Sequence, residues 1–568
     1  METVAVLGGG VAGLTAAHEL AERGFHVTVY EERKAFGGKA RSMPVPHSGT
    51  NGRKDLPAEH GFRFFPGFYQ HLPDTMARIP SGKKTVVDHL TPTRRIMLAQ
   101  ADGRNALIAP AESPSSLSDL EVAIKFIWEF GTELGIEPWE LVSFFERLLV
   151  LLCSCDERRY EQWDRVSWWE YTDAANRSPA FQKFLAAGLT RTLVAAQAQQ
   201  ISARTGGLIL CQLLFDIVRV GGRVDQVLDG PTSEVWINPW RTHLRKLRVA
   251  FRPNCSVAGI HCDGQRITGV TIQGTRGSKQ IVADHYVAAL PVERVRELVS
   301  GSMRAAEPRL VALSKLVVRW MNGAMFYLHK DVQVVEGHVL FIDSQWALTA
   351  ISQKQFWPGV NLSKRGNGKV GGILSVDISD WNEPGPITGK VAMDCSLKEI
   401  QREVWGQITH AIEDGSLDQS NIADFFLDDD IQFINPSPVT NLEPLLINTA
   451  GSWADRPDAV TRIPNLFLAS DFVRTYTDLA TMEGANEAAR RAVNGILDAS
   501  RSREPRCRLW KLHEPKVLAP FRALDRLYWR LGLPAMLPVR VTKSGSLAPA
   551  DPVANGLLRV ARFADRQV

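Results

Sequence analysis

The sequence predicts an α/β fold: a parallel-sheet domain assembled from separated pieces of chain, interleaved with a β-sheet domain and a helical lid. Three observations predict it. Val4–Leu7 is an apolar strand that runs into Gly8-Gly-Gly10-Val11-Ala12-Gly13, a helical stretch closed by Gly24, and a second strand, Val27–Tyr30. Far downstream, an apolar strand within Ile463–Ser470 leads through a loop to a helix opened by Thr481-Met482-Glu483-Gly-Ala485. Between them, residues 114–217 carry helical periodicity, and most of 247–351 reads as short strands.

Each element has a physical reading. In the first turn Gly8 allows the tight bend, Gly10 allows a pyrophosphate to approach the backbone, and Gly13 allows helix and strand to pack closely. The helix start at Val11 and Ala12 offers unpaired N–H groups and a partial positive charge to phosphate. Glu31, with Glu32 beside it, closes the second strand where a carboxylate can accept hydrogen bonds from a ribose diol. These features together specify a dinucleotide site.

Gly37 and Gly38 then precede two cations, Lys39 and Arg41. From this point the chain resembles the flavin-containing amine oxidase and phytoene desaturase superfamily, including plant-type phytoene and carotene desaturases and hydroxysqualene dehydroxylase. The resemblance covers about residues 1–500 and is strongest at both ends. It implies a GR2-type FAD-binding Rossmann-like domain, with the Gly37–Arg41 segment crossing the FAD pyrophosphate. Lys39 stands where those proteins usually carry Arg, so charge is kept while bidentate geometry is lost. The run Glu59-His-Gly61-Phe62-Arg63 is similar to the segment such enzymes lay beside the flavin, with Arg63 in place of their His. Glu59 and Arg63 are thereby candidate catalytic residues. Gly61, Phe62 and Arg63 are candidate cofactor contacts, whereas Phe64, Phe65 and Phe68 read as core.

The resemblance further implies that Val257 meets the adenine side and that Ala289, in Ala-Leu-Pro, returns the chain to the FAD domain. Asp471 would bond the ribityl or phosphate region. Thr481, Met482 and Ala485 would present a helix start to the flavin pyrimidine edge, which carries negative charge when reduced. Glu483 is a further candidate base. Strands within Arg319–Leu328, Gly337–Asp343 and Trp346–Ile351 would floor a substrate cavity. In monoamine-type oxidases a Lys there holds a water near flavin N5; the corresponding position here is Asn322, with Lys315 several residues earlier.

These readings divide the chain into FAD-binding parts at 1–90, 241–300 and 451–500. A mainly helical lid at 91–240, a substrate sheet at 301–450 and a basic amphipathic extension at 501–568 complete the division. The extension carries 14 Lys and Arg against 5 Asp and Glu, although the whole chain is only +4. That balance excludes a strongly basic nucleic-acid-binding surface. Within 509–541, Phe521, Leu524, Leu527, Tyr528 and Leu531 fall at helical spacing, with Arg522, Arg526 and Arg530 on another face. Such a helix suits an anionic membrane surface, or its stripe docks on the protein's own body. Pro534–Pro552 reads as a linker.

Seven cysteines without paired spacing or nearby histidines give no zinc pattern and fit a reducing compartment. No signal peptide or spanning segment is visible. The expectation is therefore a cytoplasmic protein, with peripheral membrane contact as the variant. The resemblance implies FAD-dependent desaturation of a lipophilic isoprenoid, polyene or other lipid by hydride transfer to flavin N5, with quinone or oxygen as electron acceptor. Isomerisation or reductive dehydroxylation would use the same fold. An amine or amino-acid oxidase producing hydrogen peroxide, or a non-catalytic lipid escort, are the alternatives.

Overall fold

A computed structural model describes residues 2–61, 63–101, 103, 107–110, 131, 133–188, 196–218, 225–434, 437–535, 537, 539–541, 547–550 and 555–556. Five strands form the parallel sheet: β1 (Thr3–Leu7), β2 (His26–Tyr30), β3 (Ala250–Arg252), β4 (His285–Ala288) and β5 (Leu466–Leu468). Their order is β3-β2-β1-β4-β5. Val4–Leu7 is buried throughout, as a strand covered on both faces requires. Helix α1 (Val11–Glu22) follows β1 and is buried at every residue from Val11 to Leu20. It is packed by helix α2 (Met482–Ala499) and by Trp240 of the Asn238–Lys246 helix, whose indole N–H donates to His18 Nδ1 at 3.2 Å.

The α1–α2 contact is polar where it is deepest. The Asn486 amide donates to Thr15 Oγ1 at 2.9 Å and to Thr75 Oγ1 at 3.0 Å. Glu19 sits among Arg23, Arg78 and Arg490. Burial pushes the Glu19 carboxyl up, but Arg78 and Arg490 outweigh it and hold the group at about 2.

A seven-stranded sheet forms the second layer. Its order is Ile422–Leu427, Asn322–Leu328, Gly372–Ile378, Thr349–Ser352, His338–Phe341, Arg95–Ala99 and Leu107–Pro110. All pairs are antiparallel except His338–Phe341 with Arg95–Ala99. Its outer two strands therefore come from the 91–240 stretch that reads as mainly helical. Their pairing partner lies some 240 residues downstream, so no local window displays it.

The lid contains Pro138–Cys153, Asp156–Glu161, Trp168–Tyr171 and Ala203–Val218. Pro138 occupies the first helical position behind a Glu137–Glu140 capping box. Leu141, Phe144, Leu148 and Leu151 make one stripe that packs with Trp168, Tyr171 and Phe181, and Leu340 of the sheet and Ile342 just beyond its strand join the same core. The Val122–Phe130 helix expected from the sequence lies outside the described residues. Buried ion pairs bolt the lid down: Arg204 bridges Asp164 at 3.2 Å and Asp478 at 2.5 Å, and Asp478 also engages Arg456.

The extension is a strap. Trp510 N–H donates to His71 Nε2 at 3.0 Å on the parallel-sheet domain. The following helix, Ala519–Arg530, buries Phe521 completely, and Asp525 meets Arg158 at 2.9 Å and the Cys155 amide at 2.8 Å. Part of the expected linker is instead a two-stranded ladder, Val539–Val541 with Leu547–Pro549. No helix among the described residues is long and apolar enough to cross a membrane.

Because the Glu19 carboxyl is depressed in the folded chain, its stabilisation is present above about pH 4.5 and lost as pH falls toward 2. Glu19→Gln should therefore cost about 3 kcal/mol at neutral pH. In denaturant titrations that gap to wild type should close between about pH 4.5 and 2.

Candidate functional site

The glycine turn separates what the fold needs from what a ligand needs. Gly8 has φ +105°, and a Cβ there would strike the Ala289 carbonyl oxygen; a Cβ on Gly13 would strike the Gly8 carbonyl oxygen. The fold itself thus requires both, and Ala289 is held over the turn by its N–H to Leu7 O at 2.8 Å. Gly10 differs. Its φ is −75°, and the nearest atom to a Cβ there is Gly38 Cα at 3.7 Å, an ordinary contact. A methyl at Gly10 therefore fits without displacing protein, and no side chain caps α1, so the N–H groups of Val11 and Ala12 lie at an uncapped helix start.

Glu31 closes this end of the site. Its carboxylate accepts from Gly9 N–H at 2.8 Å and Arg33 N–H at 2.9 Å, and burial pushes its pKa up against those two bonds. Glu32 is exposed and faces Arg294 at 3.5 Å. It lies beyond the end of β2, so its orientation is set by the loop rather than by the strand. Cys255 N–H donates to Glu31 O at 2.8 Å, which starts the strand carrying half-buried Val257 next to the acid.

Gly37 and Gly38, both at positive φ, fold against the first turn: Gly37 N–H donates to Gly9 O at 2.8 Å. Of the two cations that follow, half-buried Lys39 reaches Pro444 O and lies 3.9 Å from Glu293. Arg41 departs from expectation. Its guanidinium is buried and paired with Asp430 at 2.7 Å and Glu443 at 2.9 Å, the same carboxylates that meet Arg33 at 2.6 and 3.0 Å. Burial disfavours the Arg41 charge, but Glu443 and Asp430 overcome that and raise its pKa further. A guanidinium matched in this way is not available to a phosphate, and its partners lie some 400 residues away in sequence.

Glu59 and Arg63 come together as a buried pair. Arg63 Nη2 lies 3.5 Å from Glu59 Oε2 and donates to Lys39 O at 2.9 Å, while Glu59 Oε1 accepts from Thr232 N–H at 2.9 Å. Burial pushes Glu59 up and Arg63 down, and each charge opposes the other's shift. Gly61 leaves room for Asp377, whose Oδ1 would be 2.9 Å from a Cβ there. Phe62 lies outside the described residues. Phe65 is core, packed on Trp236. Phe64 is only half-buried and meets the edge of His338 at 5.6 Å.

His338 is a residue that local sequence reading misses. Its Nδ1 lies 2.5 Å from Asp225 Oδ2, which also accepts from Thr93 Oγ1 at 2.9 Å. Alternation along the strand puts His338 on the face of Leu340, which packs on the lid. A buried imidazole oriented by a carboxylate can take up and hold a proton. Asp225 and His338 are 113 residues apart and share no motif. The one available signal was a histidine heading an otherwise apolar strand, His338-Val-Leu-Phe341.

Asn322 is wholly buried and fully committed. Its amide donates to Asp428 at 2.7 Å and its oxygen accepts from Asn441 at 2.7 Å, and Asp428 meets His60 at 2.5 Å. Lys315 is on the surface, 3.0 Å from Asp455.

At the C-terminal motif, Asp471 is half-buried with Ser470 Oγ at 3.2 Å, and Thr481 caps α2 by accepting from Gly484 N–H at 3.1 Å. Met482 and Ala485 are half-buried in its first turn. Glu483 is not a base. Its two oxygens accept from the amides of Gln70, His71 and Leu72 at 2.7–2.8 Å and meet His71 Nδ1 at 2.7 Å. It caps the His71–Ala77 helix, with three contacts on Oε1 and one on Oε2.

Comparison with known proteins agrees with this geometry. A family profile described as an NAD(P)-binding Rossmann-like domain matches residues 6–79. Zeta-carotene desaturase of Synechocystis sp. is 25% identical over 53% of this chain and 60% of its own length, so the match spans less than two thirds of that relative. Carotenoid phi-ring synthase of Streptomyces griseus is 24% identical over 87% of both chains. Cyclohexylamine oxidase of Brevibacterium oxydans shares the fold, with TM-score 0.56 and 16% identity over 88% of this chain and 99% of its own. The resemblance to the amine oxidase and phytoene desaturase superfamily thus extends from the motifs to the architecture.

Gly10→Ala separates ligand from fold. The apoprotein should keep its thermal midpoint, because the added methyl has room, while bound dinucleotide measured after denaturing release should fall at least about tenfold. Gly13→Ala should lower both.

Proposed function

We propose that this chain is an FAD-dependent oxidoreductase that removes hydrogen from an apolar polyene, a carotenoid or a related isoprenoid, to form a new double bond. The lack of a side chain at Gly10, the uncapped start of α1, the glycine pair at 37–38 and the Glu31 carboxylate fit the dinucleotide part of FAD. When bound, FAD would supply a hydride acceptor at N5. The carotenoid names of the two curated relatives support the substrate class.

The protein's own part is positioning, dryness and one proton. The apolar lid core around Phe144, Trp168 and Phe181 keeps water from the sheet face below it. A departing hydride leaves a cation on the substrate, and a proton must leave the neighbouring carbon. His338, held by Asp225, is the group we assign to receive it. Arg63 and Glu59 stay paired beside the cofactor segment and tune its field. Quinone or oxygen would then carry the electrons away.

The observation that carries this reading over amine chemistry on the same fold is Asn322. By the register of the resemblance it stands where monoamine-type oxidases carry lysine, and its bonds to Asp428 and Asn441 hold it in place. The test is anaerobic mixing of the purified flavoprotein with zeta-carotene or phytoene in detergent micelles, against putrescine and cyclohexylamine. Bleaching of the flavin by a polyene alone is expected. Bleaching by amines alone would replace the reading with an oxidase, and absence of flavin after loading with FAD would leave the lipid escort.

His338→Asn should leave flavin content unchanged and slow polyene-driven bleaching by about 10²-fold.

A further inference from the structure

The strap helix carries apolar surface that the molecule leaves uncovered. Phe521 and Asp525 commit its first two turns to the lid. Beyond them the leucines stop facing protein: Leu527 is 51% exposed, Leu531 63% and Leu533 43%. Isolated exposed leucines are ordinary, but three within seven residues around one helix end form a patch. Tyr528 and Trp529, both half-buried, border it, with Arg158 lying over the Trp529 ring at 5.1 Å.

Charge says what the patch faces. Residues 501–535 hold nine Lys and Arg against Glu504, Glu514 and Asp525. Two of those three acids are spent on the lid, Asp525 on Arg158 and Glu514 on Arg159. Arg530, between the exposed leucines, and Lys511 and Lys516, before the helix, remain exposed. Leucines among cations with aromatic residues at the border match the headgroup–acyl boundary of an anionic bilayer, where apolar insertion and phosphate contact act together.

We propose that the end of this helix, Leu527, Leu531 and Leu533 with Arg530, docks the protein on an anionic lipid surface. This inference rests on the apolar-substrate reading and adds its source. Asp525 and Phe521 bolt the docked helix to the lid, so a polyene dissolved in the bilayer would meet the lid without crossing water.

The experiment is flotation of the 568-residue flavoprotein with vesicles of phosphatidylcholine alone or with one third phosphatidylglycerol. Wild type should float with the anionic vesicles and be released by salt. The triple variant Leu527→Ser, Leu531→Ser, Leu533→Ser, and Arg530→Glu separately, should bind at least about tenfold less while retaining flavin and the wild-type thermal midpoint. Equal flotation of the triple variant, or none by wild type, would overturn the proposal. So would a wild-type dimer that the triple variant converts to monomer, because the patch would then face a second copy. A gain of flotation on removing 551–568 would mean that the chain's own end covers it. Flotation without polyene bleaching would leave the surface and refute the desaturase reading; bleaching in micelles without flotation would do the reverse.

Discussion

Helices α1 and α2 come from opposite ends of the chain, and their contact is the constraint from which the arrangement of the other parts follows. Asn486 reaches Thr15 across 471 residues of sequence, and Arg490 lies 3.5 Å from Glu19. With α2 fixed against α1, Thr481 and Met482 have a set position relative to the glycine turn. Everything inserted between, the lid and the second sheet included, must leave and re-enter the domain at β2, β3, β4 and β5. A helix buried as completely as α1 cannot satisfy polar neighbours with water, so the Asn486, Glu19 and Arg490 bonds have to be made within the protein.

The same economy governs the charges around the site. Arg33 and Arg41 are matched by Asp430 and Glu443, and Arg204 and Arg456 by Asp164 and Asp478. Each group joins pieces of chain that are remote in sequence. Buried pairs of this kind add little net stability, yet losing one partner leaves an uncompensated charge and is costly. They therefore specify which surfaces meet. The Asp478 group ties the lid to the loop leading into Thr481, so lid and cofactor segment hold their relative places.

For the proposed chemistry this means a preorganised interior with few reactive groups. Glu483 is consumed in capping a helix and Asn322 in a buried amide–carboxylate chain. The Glu59–Arg63 pair and the His338–Asp225 pair remain, both at the 59–65 segment proposed to lie along the cofactor. Hydride abstraction from a polyene asks for little more, since the cofactor does the oxidation and the protein must hold the substrate and accept a proton.

Local sequence determined the elements whose physics is local. Gly8-Gly-Gly10-Val-Ala-Gly13 dictates its turn because close backbone approaches exclude a Cβ, Glu31 follows from strand length, and Thr481 marks the start of α2. Apolar alternation likewise marked the strands at 322–328 and 338–341. Tertiary structure alone decided which charges stay available. Arg41 reads as a phosphate ligand until Asp430 and Glu443 arrive from the far end of the chain, and Glu483 reads as a base until three amides of the 70–72 turn converge on it. It also decided that Arg95–Ala99 is a strand and that Asp225 and His338 are partners. A side chain's type is written in the sequence, but its charge state and its role depend on partners the chain brings near only by folding.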